Sequence, residues 1–206
     1  MENLSKIKSI QTILVTSTRS FSDNSSMAAE LAIIIAQSGK KVALIDADLR
    51  QPIIHNIFNL SNHVGLCDLL SSQRATSSVI HSVINGNLSV LPSGKLPNGS
   101  MDVLCTKRMS EILTGIKQEY DTLMIQAPPF FYPETSHLAT QVDGVVLLIH
   151  PGYSKSETLR MIIERFQKSG AITIGIVIRD QPKYQGNQSV FLDRLLNYNK
   201  QTTTSV

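Results

Sequence analysis

IQTILVTSTRSFSDNSSMAAELAIIIAQSG, residues 10–39, is the stretch on which the fold turns. Ile10 to Ser17 reads as an apolar strand, TRSFSD as a short loop, and SMAAELAIIIAQSG as an apolar helix. This is the strand–loop–helix setting of a P-loop, where backbone N–H groups and one Lys cradle phosphates at a helix N-terminus. The loop nevertheless holds no glycine, and Asn24 stands where the phosphate-gripping Lys belongs. The frame of a nucleotide site is present without its main parts.

Outward from that stretch, apolar runs of four to eight residues alternate with longer helical patterns, the signature of βαβ units around a parallel sheet. Strands are expected at 12–17, 41–46, 88–93, 122–127, 144–150 and 172–178. Several are continuous apolar runs, as suits strands covered on both faces. Helices are expected at 25–37, 106–119 and 154–168, the first and third closed by Ser-Gly, a favoured helix end. Shorter helices are expected at 52–58, 65–71, 76–84, 134–141 and 188–198. The fold class is therefore α/β, a doubly wound, mostly parallel sheet with helices on both faces. No repeat or linker divides the 206 residues, and one domain over 1–206 is expected, with a polar tail from about 200.

Composition excludes more than it selects. A net charge of +3, from 19 basic and 16 acidic residues with no dense basic block, gives no expectation of nucleic acid. Cys67 and Cys105 form no CxxC pair and fit reduced thiols. No secretory segment opens the chain, and LAIIIA and GVVLLI are far short of the ~20 residues a spanning helix needs. A cytoplasmic protein is expected, meeting the inner face of a membrane only through a partner. The five histidines (His55, His63, His81, His137, His150) show no metal spacing and suggest surface or loop roles. Met101 to Met109 fits the core face of a helix.

Two further segments carry chemistry. LIDADLRQP (44–52) places Asp46 and Asp48 at a strand's carboxyl end, where open α/β sheets bind ligands. Both would reach that crevice, to polarise a water or hold Mg²⁺, with Arg50 pairing with one of them. A turn with an Asp cap is the plainer alternative. EYDTLMIQAPP (119–129) ends a strand in Gln126, where an Asp would hold Mg²⁺ through water. A neutral amide accepts a hydrogen bond but does not balance the metal's charge.

These pieces, in this order, resemble the cytoplasmic bacterial tyrosine kinases (BY-kinases) of capsule and exopolysaccharide systems. That family lies within the deviant P-loop ATPases that include septum-site and partition proteins (MinD/ParA-like). The resemblance is carried by VTS (15–17), AAELA (28–32), AQSGKKVALIDADLRQP (36–52), GLCDLL (65–70), LSVLPSGKLPN (88–98), EYDTLMI (119–125), APP (127–129), VDGVVLLI (142–149) and GIVIRD (175–180). It implies Mg²⁺ and α-phosphate contacts at Ser25 and Ser26, and a metal role for Ser25 and Asp46. Against the family's PGEGKST loop, residues 20–26 read SFSDNSS, so both glycines become Phe21 and Asp23. The Walker B Asp becomes Gln126, the adenine-reading Asn becomes Arg179, and Glu134 is the one substitute for a Thr-Asp pair after APP. The ring-forming segment would precede Lys6, where no room for it is seen. The tyrosine cluster is reduced to Tyr198, with Tyr184 further back.

Magnitudes decide how these departures read. A charged hydrogen bond is worth ~1.5–3 kcal/mol, so loss of the Lys costs roughly one to two decades in affinity. Asp23 beside Asp46 and Asp48 adds several kcal/mol against a triphosphate. Phosphoryl transfer is nearly all positioning and charge stabilisation. The expectation is a pseudokinase with vestigial Asp46 and Asp48, acting as an adaptor or regulator in polysaccharide assembly. Its implied partner is a membrane chain-length or co-polymerase protein, and a homodimer is the oligomer the family allows. No cofactor is expected, weak ATP, ADP or Mg²⁺ binding being left open. The alternatives are a divergent active kinase or ATPase using Asp46 and Asp48 with another cation such as Arg19, and a MinD/ParA-like positioning protein. Two C-terminal features complete the expectations. Residues 189–200 carry Phe191, Leu192, Leu195 and Leu196 at helical spacing, to pack on the sheet or bind membrane. The run IRDQPKYQ (178–185) could form a basic rim over the old adenine pocket.

Overall fold

The computed structural model describes residues 10–19, 23–72, 75–84, 86–96, 101–150, 156–168 and 170–179, with only the backbone of residues 23 and 24. Seven strands form one sheet: β1 (Thr12–Ser17), β2 (Val42–Asp46), β3 (His81–Ile84), β4 (Leu88–Leu91), β5 (Thr122–Gln126), β6 (Gly144–Ile149) and β7 (Thr173–Ile178). Their spatial order is β3-β4-β2-β5-β1-β6-β7. Every neighbouring pair is parallel except β3 with β4. The helices are α1 (Asp23–Gln37), α2 (Ile54–Ile57), α3 (Leu66–Ser71), α4 (Lys107–Lys117), α5 (Pro133–Ala139) and α6 (Ser156–Lys168).

The continuous apolar strands follow from two cores. Val42 and Leu44 of β2 point into one with Val15, Met124 and Leu148, under the α1 face of Met27, Ala28, Ala29, Ala32 and Ile33. Ala43 and Ile45 point the other way, into a core with Leu91, Ile125 and Leu147 and the apolar sides of α3 to α6. The alanines of α1 let its backbone lie close to the sheet. Gly39, at φ 91°, ends the helix in the left-handed conformation that glycine adopts without Cβ strain.

One expected helix is corrected. Residues 76–84 are not helical throughout: a 3₁₀ turn (Thr76–Ser78) leads into β3, which pairs antiparallel with β4. Asn85-Gly86 lies between the two strands, and that dipeptide is a strong short-range hairpin signal. Gly86 takes φ 79° and Asn87 N–H donates to Ile84 O at 2.7 Å. His150 is also corrected, being 1% exposed directly after β6 rather than on the surface. Met101 begins a 3₁₀ segment (Met101–Cys105), and Met109 lies on the buried face of α4 with Ile112, Leu113 and Ile116. The cysteines are unpaired, Cys67 buried and Cys105 exposed. Residues 180–206 lie outside the described residues, and with them the expected helix at 188–198, Tyr184 and Tyr198 and most of the 178–185 rim.

GLCDLL and LPSG, distant in sequence, dock backbone to backbone. Leu66 and Cys67 N–H donate to the carbonyls of Pro92 and Ser93 at 2.8 Å, and Gly94 N–H donates to Asn62 Oδ1 at 2.8 Å. A Cβ on Gly65 would run into the Pro92 carbonyl and the Gly94 amide. Gly65→Ala is therefore expected to cost about 1–3 kcal/mol or more through forced separation of these loops, read as a lower urea midpoint with unchanged m-value.

Candidate functional site

The carboxyl ends of β1, β2 and β5 meet at one point. Asp46 sits in register with Gln126, and Gln126 with Val15, so the last residues of β2 and β5 stand side by side. Both are fully buried. Asp46 is enclosed rather than open to the crevice. Its Oδ1 accepts from Asp48 N–H at 3.2 Å and its Oδ2 from Ile54 N–H at 3.1 Å. The carboxyl thus fixes the turn from β2 into α2. Asp48 Oδ1 accepts from the N–H groups of Arg50 and Gln51 at 3.2 and 3.1 Å. The capped-turn reading describes both aspartates well.

Burial governs their charge. It pushes the Asp46 carboxyl up to about 8, with the neighbouring Asp48 adding to the rise and the Ile54 amide opposing it. Burial also raises Asp48, against the pull of the Gln51 amide and the Gln126 side chain, which hydrogen-bonds to it. The Gln126 Nε2 also donates to Ala127 O at 3.2 Å, while its Oε1 is buried without a hydrogen-bond partner. An acid–amide contact therefore stands where two acids would repel.

Arg50 does not pair with either aspartate, contrary to expectation. Its Nε donates to Glu134 Oε1 at 2.7 Å, and its guanidinium lies 4.2 Å from the Tyr132 ring centroid. Glu134 is 3% exposed in the first turn of α5, so its charge demands a cation more than the backbone-satisfied Asp48 does. Arg179 Nη2 meets Glu30 Oε1 of α1 at 3.0 Å, and Arg179 N–H donates to Ile149 O. Glu30 was not singled out from the sequence; an acid within the AAELA turn carries no local mark of a partner 149 residues away.

Ser25 and Ser26 are buried in the first turn of α1. Asn24 lies on the same turn, its side chain outside the described residues, as are Ser20, Phe21 and Ser22. Before the loop, Thr18 N–H donates to Leu148 O at 3.2 Å and Ser17 Oγ to Arg19 O at 2.5 Å. The oxygens that could face a cation here are those of Ser25, Asp46, Asp48 and Gln126. Among the described residues no three His, Cys, Asp or Glu side chains gather as a metal-holding group.

Strand order, a helix after β1 and acids at the strand ends define a doubly wound P-loop NTPase fold. Residues 11–173 match the AAA-domain family, and the chain belongs to it, among relatives that are bacterial tyrosine kinases. It is 34% identical over 151 residues to tyrosine-protein kinase YwqD of Bacillus subtilis (strain 168), covering 73% of this chain and 64% of that protein. It is 29% identical over 174 residues to the putative tyrosine-protein kinase CapB of Staphylococcus aureus, covering 84% and 76%. It spans only 21% of the tyrosine-protein kinase ptk of Acinetobacter johnsonii, at 33% identity over 73% of this chain. Among solved structures, the chimerical protein CapA2B2 superposes with TM-score 0.79 at 25% identity, covering 88% of this chain and 80% of that one. The Pyrococcus furiosus cell division ATPase MinD shares the fold, with TM-score 0.71 at 17% identity, covering 91% and 79%.

Two outcomes follow from this electrostatic arrangement. Asp46 titrates near 3.9 when unfolded and near 8 when folded, so the native state binds more protons between those values. Its contribution to stability is full below pH 4 and is lost as pH rises towards 8. Asp46→Asn should flatten that part of the pH–stability curve, measured by urea unfolding at pH 5 and pH 8. Arg50→Ala should cost about 3 kcal/mol, the low end for breaking a buried pair, because Arg50 is a third exposed. Arg50→Ala combined with Glu134→Gln should cost less than Arg50→Ala alone in the same assay.

Proposed function

We propose that this chain is a non-catalytic BY-kinase-like protein that works by contact, as an adaptor or regulator in exopolysaccharide or capsule assembly. Its partner in this reading is the cytosolic part of a membrane chain-length or co-polymerase protein. The observation that carries the reading is Gln126. At the end of β5, beside Asp46, it spends its amide on Asp48 and Ala127. A Mg²⁺ shell wants charged oxygens there. Asp46, held near 8, is mostly protonated at neutral pH, and both its oxygens already accept backbone N–H groups. These residues do not fit Mg²⁺–nucleotide well.

Two of the cations are committed too: Arg50 is bound to Glu134 and Arg179 to Glu30, and Asn24 replaces the Lys in sequence. Drawing either arginine onto a triphosphate would break an internal ion pair. The polysaccharide setting is supported by relatives such as the putative tyrosine-protein kinase in the cps region of Klebsiella pneumoniae, 28% identical over 163 residues. Among the described residues no helix is long and apolar enough to cross a membrane; in this reading the partner recruits the chain to the membrane.

Calorimetric titration with ATP·Mg²⁺ is expected to give no saturable heat at micromolar nucleotide, while the partner's cytosolic segment binds. ATP turnover that vanishes on Asp46→Asn would overturn the reading in favour of a divergent kinase.

A further inference from the structure

The segment PPFFYP (128–133), which joins β5 to α5, displays an aromatic side chain that the fold does not bury. Among the described phenylalanines only Phe131 is exposed, at 50%. Its neighbour Phe130 is buried edge-on against Phe166 of α6, with ring centroids 5.7 Å apart. The turn explains the split. Phe130 N–H donates to Ser17 O at 3.0 Å, which fixes that residue beside the end of β1. Tyr132 N–H donates to Pro129 O at 3.1 Å and closes a turn with Phe131 at its corner. The Pro128 carbonyl accepts from Thr16 Oγ1 at 2.6 Å and from Thr135 Oγ1 at 3.0 Å, and Pro133 opens α5. The prolines and these anchors hold the exposed ring in place before anything binds to it, which keeps the ordering cost of binding low.

In contact order, this ring lies between two cations. Phe131 has its centroid 5.1 Å from that of Tyr132 and 6.5 Å from that of Phe130. Arg50 then lies 4.2 Å from the Tyr132 centroid, and Arg165 of α6 lies 5.8 Å from the Phe130 centroid. Both guanidinium groups are within cation–π range of the rings they meet. Arg50 bonds Glu134 through Nε, and a guanidinium carries further N–H donors on its terminal nitrogens. Exposed aromatic surface flanked by arginine is the composition of a protein-binding hot spot. Glu134 beside Arg50, and Glu164 next to Arg165 in sequence, interrupt the positive track that a nucleic-acid backbone requires.

We infer that the Phe131 turn is a docking point for an acidic peptide, a segment of a partner protein that seats an apolar side chain on Phe131 and turns flanking carboxylates towards Arg50 and Arg165. The inference rests on the adaptor reading, to which it adds the contact surface and the chemistry of the partner's segment. Docked there, the partner touches the loop that leads directly from Gln126.

Fluorescence anisotropy on the full-length chain tests this, with a short labelled peptide that carries a central phenylalanine flanked by glutamates. Saturable binding at submillimolar protein is expected, weakened several-fold by Phe131→Ser, by Arg165→Glu and by raised salt. No saturable binding, or equal binding by Phe131→Ser, overturns the inference. Self-association in sedimentation velocity that Phe131→Ser abolishes assigns the face to a second copy and overturns it as well. Tighter binding of a labelled single-stranded oligonucleotide through the same residues does so too. Circular dichroism and urea midpoints separate loss of fold from loss of binding, and if Phe131→Ser fails that check, Arg165→Glu decides alone. The titration contains no nucleotide. ATP turnover would therefore remove the adaptor reading without altering this result, and failure of the peptide arm would leave the calorimetric result as it was.

Discussion

The burial of Asp46 beside Gln126 is the constraint on which the rest of this structure rests. A parallel sheet covered on both faces ends its central strands in a dry place, and any carboxylate there must be neutralised, paired or hydrogen-bonded. In this chain Asp46 is hydrogen-bonded by two backbone amides and raised in pKa, and its neighbour is an amide. A second acid at position 126 would have raised the electrostatic cost of the same geometry, since like charges in a low-dielectric site repel strongly.

The same logic extends to the cations around the crevice. Arg50 and Arg179 each serve an internal acid, Glu134 on α5 and Glu30 on α1. These pairs tie the loop after β2 to α5, and the end of β7 to α1. The two arginines act as cross-links between elements. The adaptor reading is attractive for that reason: these charges hold the scaffold together, and its surfaces are free to have other uses.

Much of the architecture was legible from residue pattern. Six strands were expected within a residue or two of where they stand, because two-sided burial demands continuous apolar runs and Gly39 marks a helix end. The hairpin strand β3 is not among the expected strands although Asn85-Gly86 signals it, because HSVI (81–84) falls within the helical window at 76–84. The site was legible only in part. Asp46, Asp48, Gln126 and Ser25 could be placed at strand and helix ends by spacing alone. The partners of Arg50 and Arg179 could not, because each lies 84 or 149 residues away and the choice among nearby acids depends on which is driest.

Sequence by itself determined the doubly wound sheet, the order of its motifs and the chemical identities at positions 20–26, 46, 48 and 126, since these depend on local periodicity and residue type. Tertiary structure alone decided which charges meet and which carboxyl loses its water. Those outcomes depend on desolvation and distance, which exist only once separate segments have been brought together.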